Sequence, residues 1–188
     1  MLVSGLGHNR GPTMEKGRAW RRYAWTRARS DLLPTLPIEV ARRRVRRARE
    51  LGIDYKSYAG IRAATGRDIV ALIFSSNALR LLKETSEIEP ERSEKVSKII
   101  GIESLSFVHP PHHPDTVTKV NAVIERARRA PGLTQTWGET RARVLELKGS
   151  IPGDGVVVIG ETALEREWSE AGRLAGFLHA DRYFSATS

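Results

Sequence analysis

A chain of 188 residues with no cysteine and 40% hydrophobic side chains can bury one core but has no disulfide, thiolate zinc site or cysteine nucleophile. The 28% of charged residues fits a globular rather than a disordered chain. The net charge of +9 is uneven: residues 1–83 hold 18 Lys/Arg against 6 Asp/Glu, and residues 84–188 hold 13 against 16.

That split points to a localised anionic partner. Arginine supplies 24 of the 31 basic residues. Its fork suits phosphate, although a GC-rich, bacterial-like genome enriches arginine as well. No apolar run approaches the roughly 18 residues of a membrane span. The start, "MLVSGLGHNRGPTMEKG", lacks the basic and apolar segments of a secretory leader. A cytoplasmic protein without membrane association is therefore expected.

In chain order, residues 1–12 read as a flexible tail, whose close glycines follow no strand and so make a weak phosphate loop. A helix is expected from Thr13 to Leu33, with Trp20, Tyr23, Ala24, Ala28 and Leu32 at helical spacing and Arg18, Arg21 and Arg22 among them. Pro37 opens a second helix, in which Ile38, Ala41, Val45, Ala48 and Leu51 form a stripe closed by Gly52. Its other faces carry Arg42, Arg43, Arg44, Arg46, Arg47 and Arg49. A short helix over Tyr55–Ala64 ends before Gly66.

Beyond Gly66 the pattern changes. "RDIVALIFSSN" reads as a strand followed by a helical "ALRLLKE", although 68–82 also fits one buried helix. A helix over "EPERSEKVSKII" and a strand over "ESLSFVH" come next. "DTVTKVNAVIERARRA" reads as one helix, with Val117, Val120, Ile124 and Ala127 on a face. A further helix opens at a Thr136–Glu139 capping box. "VVVIG" is the clearest strand, and "TALEREWSEAGRLAGFL" reads as a closing helix. The expected fold is α/β: a small, mainly parallel sheet of about three strands flanked by helices, with an N-terminal basic helical arm. The expected division is a tail at 1–12, the arm at 13–66 and an α/β domain at 67–188.

In a parallel sheet, ligands sit beyond the carboxyl ends of the strands. Three segments would meet there: Ser75, Ser76 and Asn77; "HPPHHPD" from His109 to Asp115; and Gly160, Glu161 and Thr162. Ser75, Ser76 and Asn77 are candidate anion-binding residues through hydroxyls and backbone N–H groups. Pro110–Pro111 favours polyproline II, which would set His109 and His112 about 9 Å apart, too far to share an ion. Asp115 reads as a helix N-cap. No metal and no cofactor are expected, and the histidine segment reads as a solvent-facing loop with His109 the candidate acid–base group. Thr162 and Glu165 match a second capping box, which leaves Glu161 as the second catalytic candidate. No standard enzyme motif is present.

The arginine-rich arm carries the leading functional expectation: nucleic-acid binding, DNA or RNA, mostly through phosphates, by Arg18, Arg21, Arg22, Arg42, Arg43, Arg46 and Arg47. Two alternatives stand beside it. One is a hydrolase- or transferase-like enzyme acting on a phosphorylated or nucleotide-like small molecule, with His109 and Glu161 at the strand edge. The other is an adaptor that docks the arm on an acidic protein partner.

Overall fold

The computed structural model describes residues 36–185; the expected tail and the helix from Thr13 lie outside them. Seven helices and five strands follow in the order α1 (Ile38–Glu50), α2 (Tyr55–Thr65), β1 (Ala71–Ser75), α3 (Pro90–Ser97), β2 (Glu103–Val108), α4 (Pro114–Val120), β3 (Arg126–Arg129), α5 (Trp137–Lys148), β4 (Val156–Gly160), α6 (Ala163–Ala171), β5 (Gly176–His179) and α7 (Ala180–Ser185). The strands form one sheet in the order β3-β2-β1-β4-β5, and every neighbouring pair is parallel. The protein is thus an α/β fold, with five strands where about three are expected.

Strand alternation builds two cores. Leu72, Phe74, Val157 and Ile159 face one layer, where they meet Ala48, Leu51, Ile53 and Tyr58 from the α1–α2 region, Val96 of α3, Val117 of α4 and Tyr183 of α7. Ala71, Ile73, Val156 and Val158 face the other, against Val144 and Leu147 of α5 and Trp168 of α6. With both faces covered, β1 and β4 are buried along their whole length, which is why their sequences read as unbroken apolar runs. The α1–α2 pair shares the sheet's core, so the α/β body takes in helices expected in the basic arm.

The two additional strands replace predicted helix. β3 is "RARR" on the sheet edge, with only Ala127 well buried; edge strands carry charge, which blocks further pairing. Arg126 pairs with Glu103 at 2.6 Å and Arg128 with Glu146 at 2.9 Å, so the strand is held by ions as well as by its ladder. The closing helix stops at Ala171, and Gly172 after it packs so closely that an added Cβ would lie 2.4 Å from Val144 Cγ1. Arg173 then turns left-handed at φ 50°, and β5 follows. The predicted helix over "ALRLLKE" is a series of turns, in which Ala78 and Leu79 still plug the core.

The topology fixes where a site can form. From β1 the chain moves outward through β2 to β3, then returns across the sheet to β4 beside β1. The loops leaving β1 and β4 therefore diverge at the carboxyl edge, the crevice in which open α/β sheets hold ligands. Among the described residues, no helix is long and apolar enough to cross a membrane.

Candidate functional sites at the two ends of the sheet

At the amino end of β1 and β2, α1 and α2 enclose a groove of about 320 Å³. Arg43, Arg44, Arg46, Arg47 and Arg62 line it, with Glu50 and Asp68 as its carboxylates. Arg47 is the anchor. Its guanidinium donates to Asp68 at 3.2 Å, to Glu50 at 3.1 Å and to the carbonyls of Ile69, Ile100 and Gly101 at 3.0–3.4 Å. This side chain ties α1 to the starts of two strands, so the expected phosphate contact at Arg47 gives way to an internal one. Asp68 also accepts from Tyr58 at 2.8 Å and pairs with Arg62 at 3.4 Å. Burial first, and then Asp68, raises the Tyr58 phenol above its ordinary range, keeping it a donor.

Both carboxylates of the groove are therefore engaged by Arg47 and Arg62. Arg43 and Arg46 are exposed and have no ion pair among the described residues. Arg44 keeps its Nε–H buried with no hydrogen-bond partner among them. Arg42 pairs with Glu39 at 2.8 Å on the open surface, an interaction of little strength. Arg18, Arg21 and Arg22 lie outside the described residues. Arg44 and Arg62 join the groove without having been named as site residues from sequence; the i,i+3 spacing to Arg47 was the available signal for Arg44.

At the carboxyl end, a cleft of about 280 Å³ opens between the loops after β1, β2 and β4, lined by Ser76, Asn77, Arg80, Lys83, His109 and Glu161 among others. The expected convergence of Ser76, His109 and Glu161 is present. Ser75 Oγ accepts from the Ala78 N–H at 2.9 Å, and the Ser76 N–H donates to the Phe107 carbonyl at 2.8 Å. The turn thus spends these two groups on itself and on β2. Asn77 is exposed and donates from Nδ2 to Glu165 at 2.8 Å.

The three histidines part company. His109 Nδ1 lies 3.0 Å from Ser76 Oγ, while the His109 backbone N–H donates to the same oxygen at 3.0 Å. Its ring stacks on Trp168 with centroids 5.6 Å apart. Burial holds the imidazole below its ordinary range, and the Glu165 charge pulls it partly back. His112 is buried, not solvent-facing, with Nδ1 at 2.9 Å from Ser86 Oγ. His113, rather than Asp115, caps α4, its ring accepting from the Asp115 N–H. A turn, with the His112 N–H on the His109 carbonyl and a cis Pro110–Pro111 bond, stands in place of polyproline II. Among the described residues, no group of three or more histidines and carboxylates is placed to hold a metal ion.

Glu161 is neutralised by Arg92 at 3.5 Å. Arg92 itself is buried, bonded to the Ala78 carbonyl and set over the Phe184 ring at 4.4 Å. The residue that sequence passed over is Glu165. It completes the capping box with Thr162, yet it is also fully buried, accepts from Asn77 and stands 4.0 Å from His109 Nε2. Gly160 makes this position accessible: a Cβ there would lie 2.8 Å from Glu165 Oε2 and 2.7 Å from Phe177. The chain matches no family model, no curated protein and no solved structure.

Proposed function

We propose that the protein binds nucleic acid through its phosphates, with the α1–α2 groove as the gripping surface. One observation carries this reading: Arg43, Arg44 and Arg46 line a groove whose two carboxylates are already engaged by Arg47 and Arg62. Like charges at helical spacing repel, and a phosphate oxygen supplies both the countercharge and an acceptor for the Arg44 Nε–H. Arg42 and Arg49 flank the groove on the exposed face of α1 and extend it along a backbone. Arg18, Arg21 and Arg22, outside the described residues, belong to the same basic half of the chain and are included in the proposal. Arginine forks suit phosphate oxygens, so the proposed binding is phosphate-directed and tolerant of sequence. The reading carries with it a cytoplasmic location.

Fluorescence anisotropy on the full chain tests it, with a 20-nucleotide single-stranded RNA and a 20-base-pair DNA duplex as probes in 50 mM salt. The R43A/R44A/R46A variant is expected to lose at least tenfold in affinity for whichever probe binds. The N-terminal arginines are left intact in that variant. Absence of binding to both probes by the unaltered chain overturns the proposal.

A further inference from the structure

The two capping boxes of this chain make an internal comparison. In the first, Thr136 and Glu139 exchange their hydrogen bonds on the open surface. In the second, Thr162 and Glu165 make the same exchange, but Glu165 is wholly buried. Capping a helix therefore does not require a buried carboxylate. Burying one is costly unless its lone pairs are filled, and this one is filled with care: Oε2 accepts from the N–H groups of Glu161 at 2.6 Å and Thr162 at 3.0 Å, and Oε1 accepts from Asn77 at 2.8 Å. The remaining neighbour of Oε1 is His109 Nε2 at 4.0 Å.

A backbone N–H only donates, so Ser76 Oγ accepts from His109 N, and its second lone pair and its hydrogen both stay open to Nδ1. In the tautomer that activates a nucleophile, Ser76 donates to Nδ1. With Nδ1 accepting, the ring's proton sits on Nε2, facing the carboxylate. The result is a directed series: Ser76 hydroxyl, imidazole, buried carboxylate. Ser76 follows β1 on a tight turn, closed by Arg80 N–H on the Asn77 carbonyl at 3.0 Å, and it forms part of the cleft wall. Arg80 in that turn holds φ 47°, the left-handed region that non-glycine residues uncommonly adopt. Lys83 and Arg80, the latter 3.7 Å from Glu89 on the open surface, bring positive charge to the cleft.

The geometry points to a nucleophilic site, independent of the groove at the other end of the sheet, in which Ser76 attacks the carbonyl carbon of a negatively charged carboxylic ester. The Ser76 Oγ–carbon bond forms as its proton passes to His109 Nδ1. The bond from carbon to the alcohol oxygen breaks, and the leaving alkoxide takes the proton back from Nδ1, giving free alcohol and acyl-Ser76. Water then adds to the acyl carbon, delivers a proton through Nδ1 to Ser76, and releases the acid. Glu165 is a positioning residue that stabilises the imidazolium in both halves. Asn77 holds Glu165, and Arg80 with Lys83 select the anionic substrate.

Phenylmethanesulfonyl fluoride, with peptide mass spectrometry on the full chain, tests the nucleophile without any variant: one sulfonyl adduct on Ser76 is expected, and no adduct there in folded protein overturns the proposal. Initial rates on p-nitrophenyl acetate and p-nitrophenyl hydrogen succinate test the rest. H109Q is expected to slow both about 10²- to 10⁴-fold; an unchanged rate contradicts the assignment. E165Q keeps the cap and removes the charge, so the acid limb of the pH–rate profile is expected to move to lower pH. A limb that stays in place reduces Glu165 to a cap and overturns its role. The R80A/K83A variant is expected to lose the preference for the succinyl ester.

Discussion

The two ends of this sheet handle charge in opposite ways. At the carboxyl end a single carboxylate, Glu165, is fully buried and hydrogen-bonded on both oxygens. At the amino end five arginines crowd a groove whose two acids are already engaged, and Arg43 and Arg46 are left exposed. Arg47 is spent on the fold there, through Asp68, Glu50 and three carbonyls, and Arg62 through Asp68. A charge that the fold has completed is a stability element. A charge that it leaves incomplete is an offer to something outside, and the two ends of the sheet should respond differently to mutation.

The largest effect is expected from E165A. It removes the buried acceptor of the exposed Asn77 amide and of the part-buried Glu161 and Thr162 N–H groups, and a loss of roughly 3 kcal/mol should appear in urea unfolding. A loss below 1 kcal/mol would mean that the buried end is no better satisfied than the exposed one. R47A comes next. It frees Asp68 and Glu50 and removes the tie between α1 and the strand starts, for about 2–3 kcal/mol. R43A and R46A in the same groove are expected to change stability by no more than about 0.5 kcal/mol while weakening nucleic-acid binding. Equal destabilisation by all three would erase the distinction between spent and offered arginines.

T162A should cost about 1 kcal/mol as an ordinary lost cap, and T136A less, since its box faces water. The smallest effect concerns pH. Burial depresses the His109 proton affinity in the folded chain, against the weaker pull of Glu165. The unfolded chain therefore takes up this proton first as the pH falls. Stability should decline from about pH 6.5 downward until the folded state titrates too. H109Q should flatten that part of the urea midpoint–pH curve; an unaltered slope would remove His109 as its source.

Much of this was legible beforehand. β1, β2 and β4 announce themselves as apolar runs because they are covered on both faces. Proline, glycine and Thr-x-x-Glu signals placed α1, α2, α5 and the start of α6. β3 was hidden because Val117, Val120, Ile124 and Ala127 repeat at helical spacing although the chain leaves α4 after Val120; an edge strand of arginines carries no period of its own. β5 was hidden behind Gly172 and Gly176, two breaks that an otherwise periodic apolar stripe masks. At the carboxyl edge, the convergence of Ser76, His109 and Glu161 followed from parallel strands alone. Glu165 did not, because its cap explained it locally and only packing against Asn77 and His109 gives it a second role. The reassignment of Arg47 has the same cause, since its partners other than Glu50 lie 21 to 54 residues away in sequence.

The salt dependence of nucleic-acid binding tests the central claim most directly. Each phosphate gripped by an arginine contributes about −0.9 to the slope of log K against log salt for duplex DNA and about −0.7 for single strands. The account predicts that the R43A/R44A/R46A chain, still folded, binds with a slope shallower by roughly 2 to 3 units than the unaltered chain. An identical slope and affinity in the two would contradict it.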